Sequence, residues 1–159
     1  MVAYSRANPA HHDAFRDLNL AWIERHFAVE PRDRNELDDP ETHILNAGGY
    51  IFVAELDAGA GPEVIGTCAL VVDHGVHELV KMAVSESARG RGVGRALGEA
   101  AIEKARALGA PCLELLSNTV LGPAIALYRS LGFREVALPP TEYARANIKM
   151  VLDLRGARE

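Results

Sequence analysis

The residues with the clearest chemical potential in this sequence lie in one glycine- and arginine-rich segment, residues 85–95. The segment contains three arginines and one glutamate, a net charge of +2, within a chain whose net charge is −5. Glycines allow backbone N–H groups to approach a ligand closely, and the first turn of a following helix has unpaired N–H donors. Such amides and guanidinium groups together form a site for a pyrophosphate. The segment therefore predicts a phosphate-binding loop, with a glycine turn and solvated arginines as the alternative.

Two other phosphate-binding loops share part of this pattern. A Walker-type P-loop requires Gly-Lys-Ser/Thr at its end, whereas Gly94 is followed here by an arginine. A dinucleotide-binding fingerprint matches better, because Gly92 and Gly94 are followed by Gly98 and by Glu114 near the end of the next predicted strand. The preceding strands are predicted to be antiparallel, however, and too little chain remains for a doubly wound sheet. A dinucleotide-binding domain therefore stays only an alternative.

The elements that must position this loop follow from hydrophobic spacing and from the glycines and prolines. Helices are predicted at 10–27, 93–108 and from 122 to Gly132, with a polar segment of one or two helical turns at 30–41. Strands are predicted at 2–6, 50–56, 63–73, 77–84, 111–116, 133–138 and 148–154. The three strands before the loop form an antiparallel meander, and strands joined through a helix are expected to be parallel. The predicted fold class is α+β (mixed α/β), with one mixed sheet in a single domain over residues 1–159.

Composition excludes several classes of protein. The 159 residues are 48% hydrophobic and 25% charged, which is typical of a globular domain and not of disorder, collagen or a coiled coil. The acidic net charge argues against general nucleic-acid binding, and no apolar run reaches the roughly 20 residues of a membrane span. The N-terminus lacks the apolar core of a signal peptide, and Cys68 and Cys112 are expected to be free thiols, so we expect a cytoplasmic protein. Its histidines lack a cysteine or carboxylate cluster at metal-binding spacing, so no metal is expected.

Two segments resemble conserved motifs of a known family. Residues 78–84, followed by Arg89-x-x-Gly92-x-Gly94, resemble the central motif of the GNAT N-acetyltransferases, Gln/Arg-x-x-Gly-x-Gly/Ala. Residues 124–133 resemble the second motif of that family, and the two motifs at this separation are far more specific than either alone. The resemblance implies a GNAT-like fold, a mostly antiparallel sheet of six to seven strands that is splayed between the fourth and fifth strands. It also implies an acetyl-CoA-dependent N-acetyltransferase that acts on a primary amine of a small molecule or peptide.

The resemblance implies acetyl-CoA as the co-substrate. In this family the loop holds the cofactor pyrophosphate, the strand before it hydrogen-bonds the pantetheine arm, and a backbone N–H near Ala83 or Val84 polarises the thioester carbonyl. Where the family often has an asparagine, this sequence has Leu121, and Asn118 is the candidate substitute, with a turn or helix-cap role as its alternative. The cofactor-binding residues implied are Met82, Ala83, Val84, Arg89, Gly90, Arg91, Gly92, Val93, Gly94, Arg95, Asn118 and Tyr128.

Two side chains are candidates for the proton transfers. Tyr128 matches the family's tyrosine near the cofactor sulfur, and a phenol with a pKa of about 10 can protonate the leaving thiolate; a core aromatic is the alternative. Glu78 is the candidate base that deprotonates the amine, and strand alternation predicts that it shares a face with Met82 and Val84. The alternatives are a solvated role for Glu78, with Glu114 on the neighbouring strand or a chain of waters as the base.

The acceptor amine is the least determined part of the prediction. The segment 30–41 carries more acidic than basic residues, which favours either a cationic acceptor through electrostatic steering or a solvated acidic loop. Trp22, Phe27 and Tyr143 are candidates for the lining of the acceptor pocket. A non-catalytic acyl-CoA-binding regulatory module stays open as a second function. A homodimer paired through the apolar final strands and a monomer with a covered edge are both compatible with the sequence.

Overall fold

The computed structural model of this chain describes residues 2–6, 8–57, 59–140 and 144–155. The helices are α1 (Pro9–His26), α2 (Pro31–Asp38), α3 (Val93–Ala107) and α4 (Gly122–Ser130), with a π-helical turn at Glu41–Leu45 and a 3-10 turn at Glu86–Ala88. The strands are β1 (Val2–Ala3), β2 (Tyr50–Asp57), β3 (Pro62–Asp73), β4 (Val76–Val84), β5 (Cys112–Ser117), β6 (Arg134–Val136) and β7 (Ile148–Asp153). In the described part of the chain, no helix is long and apolar enough to cross a membrane.

The seven strands form one sheet in the order β1-β2-β3-β4-β5-β7-β6. Strands β1 to β4 are antiparallel neighbours, β4 and β5 are parallel across the α3 connection, and β7 runs antiparallel between β5 and β6. The mixed, mostly antiparallel sheet flanked by helices confirms the predicted fold class. It also confirms the predicted meander and the parallel pair joined by a helix.

Helices cover both faces of the sheet, and each face has its own apolar core. Leu97 and Ala101 of α3 pack with Leu79 of β4 and with α4 on one face. Phe15 and Ile23 of α1 pack with α2 and with the inner face of β2 to β4 on the other. Gly98 lets α3 approach α4 closely, because a Cβ there would lie 2.8 Å from Leu131 Cδ1. Strand β4 lies between the two cores, so side chains on its two faces contact different helices.

A β-bulge in β4 changes which way its side chains point. Thr67 pairs with Ala83 but Ala69 pairs with Val80, so β4 contains one residue more than β3 over this interval. Lys81 lies in the bulge with a φ of +57°, a conformation that costs a non-glycine residue about 1–3 kcal/mol. The predicted alternation of β4 was therefore wrong across this point. Val80 packs on the α1 and α2 side with Glu78, as described below, whereas Met82 and Val84 pack on the α3 side.

Candidate active site

A cavity of about 550 Å³ opens where β4 and β5 separate. Within the described residues, the two strands share one register pair, Glu78 opposite Glu114. Beyond that pair, the cavity is lined by residues 79–82 and 84 of β4 on one side and by 115–118 on the other. The splay predicted between the fourth and fifth strands is therefore confirmed, and it gives a ligand access to the backbone of both strands.

The glycine–arginine loop forms one end of this cavity. The Ser85 N–H donates to Ile65 O over 2.8 Å, and Glu86 forms an ion pair with Arg25 of α1, so the start of the loop is fixed to β3 and to α1. Gly90 and Gly92 have φ values of +79° and +77°, which only glycine adopts without strain. Gly92 is also the N-cap of α3 and offers no side-chain acceptor, so the first-turn amides of the helix stay available to an anion.

Most residues predicted to bind the cofactor lie together around the cavity. Two of the predicted arginines do not line the cavity. Arg91 is exposed in the loop, and Arg95 donates to Ser130 Oγ over 2.5 Å and pairs with Glu99 over 3.5 Å. Ala83 is buried in β4. The predicted residues that line the cavity are Glu78, Met82, Val84, Arg89, Gly90, Gly92, Val93, Gly94, Asn118 and Tyr128.

Asn118 lines the cavity, but its amide is engaged within the protein. Its Oδ1 accepts from the Val120 N–H over 2.9 Å, and its Nδ2 donates to the Arg145 carbonyl over 2.7 Å. The first bond makes the turn between β5 and α4, and the second ties that turn to the segment before β7. These bonds fit the turn role that the sequence left open, and the cofactor contact of Asn118 stays a prediction.

Tyr128 of α4 is 9% exposed and packs edge-on against Phe133, with 6.0 Å between the ring centroids. Its ring lines the cavity, and none of the hydrogen bonds between described residues involves its hydroxyl. Burial raises the pKa of Tyr128 to about 12. The phenol is therefore protonated at neutral pH, which leaves it a hydrogen-bond donor for a ligand in the cavity.

Glu78 lies at the opposite end of β4 from the loop. Arg32 of α2 donates to Glu78 Oε1 over 3.1 Å, while Oε2 is buried and has no hydrogen-bond partner among the described residues. Burial raises the pKa of this carboxyl above its ordinary value of 4.5, and Arg32 offsets part of the increase. A buried carboxylate with one unpaired oxygen on a cavity wall is suited to accept a proton from a bound ligand.

Glu114, the alternative base, lies directly across from Glu78 in the sheet register. It forms an ion pair of 3.0 Å with Lys149 of β7 and does not line the cavity. Of the two carboxylates, only Glu78 therefore has the placement that a base in this cavity needs.

A buried cluster of charges joins α2 to β4 and to the segment before β7. Lys81 is almost fully buried, and its Nζ lies 2.8 Å from Asp33 and 3.1 Å from Glu36. Arg145 donates to both carboxylate oxygens of Asp33, over 2.6 and 2.8 Å, and also contacts Glu30. No local sequence pattern indicates this cluster, and its acidic residues were predicted to be steering charges or part of a solvated loop. The structure corrects that view, because Asp33 and Glu36 face inward and are paired.

The charge state of Asp33 follows from this cluster. Burial alone would raise the pKa of Asp33, but the Arg145 and Lys81 cations outweigh it and hold that pKa well below its ordinary value of 3.8. Asp33 is therefore ionised under all ordinary conditions. It ties Lys81, and with it the bulge of β4, to α2 and to Arg145 in the segment before β7.

An aromatic wall formed by Trp22, His26 and Phe27, at the end of α1, completes the lining. The Trp22 ring centroid lies 5.4 Å from that of His26 and 6.2 Å from that of Phe27. Two of the residues predicted to line the acceptor pocket, Trp22 and Phe27, thus do line the cavity, and Tyr143 lies outside the described residues.

Across the described parts of the chain, no group of three or more histidine, cysteine or carboxylate residues is arranged to hold a metal ion.

Comparisons with known proteins agree on one family. A sequence model of the acetyltransferase (GNAT) domain matches residues 47–135. The N-acetyltransferase YvbK of Bacillus subtilis (strain 168), itself described as uncharacterized, is 37% identical over 104 residues; the match spans 64% of this chain and just under two thirds, 66%, of that protein.

Solved structures show the same fold. An acetyltransferase of the GNAT family from Staphylococcus aureus Mu50 superposes with a TM-score of 0.82 at 21% identity, covering 97% of this chain and 98% of that one. A Bacillus subtilis acetyltransferase in complex with CoA superposes with a TM-score of 0.67 at 24% identity, covering 96% and 97%.

Proposed function

This chain belongs to the GNAT family of acetyltransferases, and we propose that it transfers the acetyl group of acetyl-CoA to a primary amine of a small molecule or peptide. The single observation that carries this proposal is the cavity between β4 and β5, which joins the glycine-led start of α3 to the unpaired oxygen of Glu78. An anion site, an exposed strand backbone and a proton acceptor in one cavity are what the transfer requires. The finding of CoA in the Bacillus subtilis structure supports the choice of cofactor.

The residues around the loop fit a pyrophosphate-bearing cofactor. A Cβ built on Gly90 or Gly92 would have no atom within 4 Å, so open space lies above the loop backbone. The N–H groups of the first turn of α3 and the Arg89 guanidinium would hold the diphosphate. The backbone of residues 82–84 would bind the pantetheine arm, and an N–H near Ala83 would polarise the thioester carbonyl.

Acetyl-CoA supplies an activated acetyl group as a thioester. The protein side chains accept a proton from the amine and donate a hydrogen bond to the leaving sulfur. Glu78 accepts a proton from the amine through Oε2, so that the nitrogen lone pair can attack the carbonyl carbon. The C–N bond forms as the C–S bond breaks, the electron pair leaves on sulfur, and the nitrogen releases its second proton to solvent to become the amide. Tyr128 donates a hydrogen bond to that sulfur. With its pKa near 12 and a thiol pKa of about 8.5, complete proton transfer from Tyr128 is uphill, so the final thiol proton comes from solvent.

The experiment that tests the proposal has two parts. CoA binding is measured by calorimetry, and thiol release from acetyl-CoA is then measured with polyamines, amino acids, aminoglycosides, simple alkyl and aryl amines, and lysine peptides. The proposal expects binding of CoA together with amine-dependent thiol release. Binding without turnover across the panel would indicate the acyl-CoA-binding regulatory module instead, and preferential binding of NAD would indicate a dinucleotide-binding domain.

The Gly92→Ala variant tests the loop. A left-handed alanine costs about 1–2 kcal/mol, and because Gly92 is the N-cap of α3, relieving this strain rotates the amides at the start of the helix. We expect a rise in the Kd for CoA of about tenfold, measured by calorimetry. Gly75→Ala is the matched control, since Gly75 has a φ of +80° in the β3–β4 turn and does not line the cavity. Equal CoA affinity in the two variants would contradict the assignment.

The Tyr128→Phe variant tests the leaving-group role. A hydrogen bond to a charged group is worth about 1.5–3 kcal/mol, so we expect kcat to fall about 10- to 150-fold. The KM for acetyl-CoA should change little, because the phenyl ring keeps its packing against Phe133. A kcat within twofold of the wild-type value would show that Tyr128 is a core aromatic only.

Three expectations from the sequence stay predictions: a single catalytic domain over residues 1–159, a cytoplasmic location and a homodimer. The seven-stranded sheet supports the first of these.

A further inference from the structure

Among the described residues, the cluster around Glu78 has one more carboxyl group than it has cations. Seven ionisable side chains of the described residues are joined through ion pairs and hydrogen bonds of 2.6–3.4 Å. The carboxyl groups are Glu30, Asp33, Glu36 and Glu78, and the cations are Arg32, Lys81 and Arg145. Glu78 Oε2, on the cavity wall, is a buried carboxylate oxygen of this cluster that has no hydrogen-bond partner among the described residues.

The cations of the cavity wall are already committed to other groups. Lys81 bonds to Asp33 and Glu36, and Arg145 bonds to Asp33 and Glu30. Arg89 belongs to the loop assigned to the pyrophosphate. An acceptor that carried its own carboxylate would find no uncommitted guanidinium or ammonium group among the described residues of the wall. It would instead meet the excess negative charge beside Glu78.

The remaining surface that faces the acceptor is apolar and aromatic. Trp22 and Phe27 form the aromatic wall with His26, and Ile23 and Val80 line the same cavity. Of the polar side chains in the lining, Asn19 uses its Nδ2 to bond the Phe15 carbonyl over 2.8 Å within α1, and the Asn118 amide bonds the Val120 N–H and the Arg145 carbonyl. Such a wall favours a molecule with an apolar body, because a polar one would lose hydrogen bonds with water without replacing them.

We propose that the acceptor is a primary amine on an apolar carbon skeleton that carries no carboxylate. The ammonium group is drawn to the unpaired oxygen of Glu78, gives up its proton there and attacks as the neutral amine. The skeleton lies against the aromatic wall. This inference rests on the proposed acetyl transfer and names its substrate class. Free amino acids, which have the same amine next to a carboxylate, are disfavoured by the charge of the cluster.

Matched pairs of amines that differ by one carboxylate test the proposal on the wild-type protein. The pairs are 2-phenylethylamine with phenylalanine and pentylamine with norleucine, assayed by thiol release at saturating acetyl-CoA. We expect kcat/KM to favour the carboxylate-free member of each pair by at least about tenfold. Equal rates, a preference for the amino acid, or no turnover of either amine while CoA still binds would overturn the substrate class. Failure to bind CoA would instead overturn the proposed function itself.

The Glu36→Gln variant tests whether the cluster sets this preference. It removes one negative charge beside Lys81 while leaving Asp33 to pair with Lys81 and Arg145, so a carboxylate on the acceptor meets less repulsion. We expect the preference for 2-phenylethylamine over phenylalanine to fall at least threefold. A purely structural effect would lower both rates together and leave the ratio unchanged, which would overturn the role of the cluster. Should the variant not fold, the wild-type ratios still decide the substrate class.

Discussion

Replacing Glu78 with glutamine is expected to lower kcat/KM for the amine by about 100-fold or more, since a positioned general base contributes about 10²- to 10⁴-fold. Glutamine keeps the shape of the side chain and an oxygen for Arg32, which is 3.1 Å from Oε1, but it cannot accept the proton. The measurement is steady-state thiol release at saturating acetyl-CoA. CoA affinity should stay within about twofold of wild type, because Glu78 lies at the opposite end of β4 from the loop.

The pH profile of the wild-type protein provides a second readout of the same residue. Glu78 must be ionised to act as a base, so kcat/KM rises with pH through its pKa. Because burial raises that pKa, the midpoint should lie above 4.5, the ordinary glutamate value. In Glu78→Gln this limb disappears, and the rate follows only the ionisation of the amine.

Glu114→Gln is the matched control for Glu78→Gln. It makes the same chemical change at the facing position of the sheet, but Glu114 pairs with Lys149 outside the cavity. We expect turnover to stay within about twofold of wild type. A loss as large as that of Glu78→Gln would move the base to Glu114, and no loss in either variant would favour a chain of waters.

The Asp33→Asn variant is expected to be the most damaging single change to stability. Asparagine leaves Lys81 and Arg145 without the buried carboxylate that now binds both, over 2.6–2.8 Å. Removing one partner of a buried ion pair costs about 3–5 kcal/mol, a large share of the stability of a domain of this size. The free energy of unfolding is measured by urea denaturation.

Asp17→Asn is the control for this change. Asp17 is an exposed ion-pair partner of Arg16, so its replacement should lower the free energy of unfolding by only about 0–1 kcal/mol.

The pH dependence of stability adds a second test of Asp33. Asp33 has a lowered pKa in the folded state, so its contribution is complete above the unfolded value of about 3.9 and is lost as the pH falls below it. Wild type should therefore lose more stability than Asp33→Asn on acidification below pH 4. Equal urea stability of wild type and Asp33→Asn would contradict the role of the cluster.

Local sequence patterns were sufficient to predict the architecture and one half of the site. The loop at 85–95 and the helix behind it could be predicted because glycines, arginines and a helical apolar stripe are all local signals. Tyr128 could be placed on the inner face of α4 from its spacing to Ala124 and Leu131. The splay between the strands came from the family resemblance rather than from the residues themselves.

The other half of the site depends on contacts between residues far apart in the chain. Lys81 and Asp33 are 48 positions apart, and Asp33 and Arg145 are 112 apart, so no periodicity connects them. One signal was present: a lysine in the middle of an apolar strand requires a buried counter-ion. The bulge at Lys81 could not be predicted either, because neither glycine nor proline occurs in β4 to mark it. The bulge adds one residue to the strand, so Met82 and Val84 face the side of the sheet opposite to the predicted one.

The aromatic wall gives this protein an optical property of its own. Trp22 is the only tryptophan among the 159 residues, and its indole borders the cavity. Indole fluorescence depends on the polarity and motion of its immediate surroundings, and here no second indole contributes to the emission. A molecule that displaces water from the cavity therefore changes the spectrum of the entire protein, which makes ligand entry visible in the unlabelled chain.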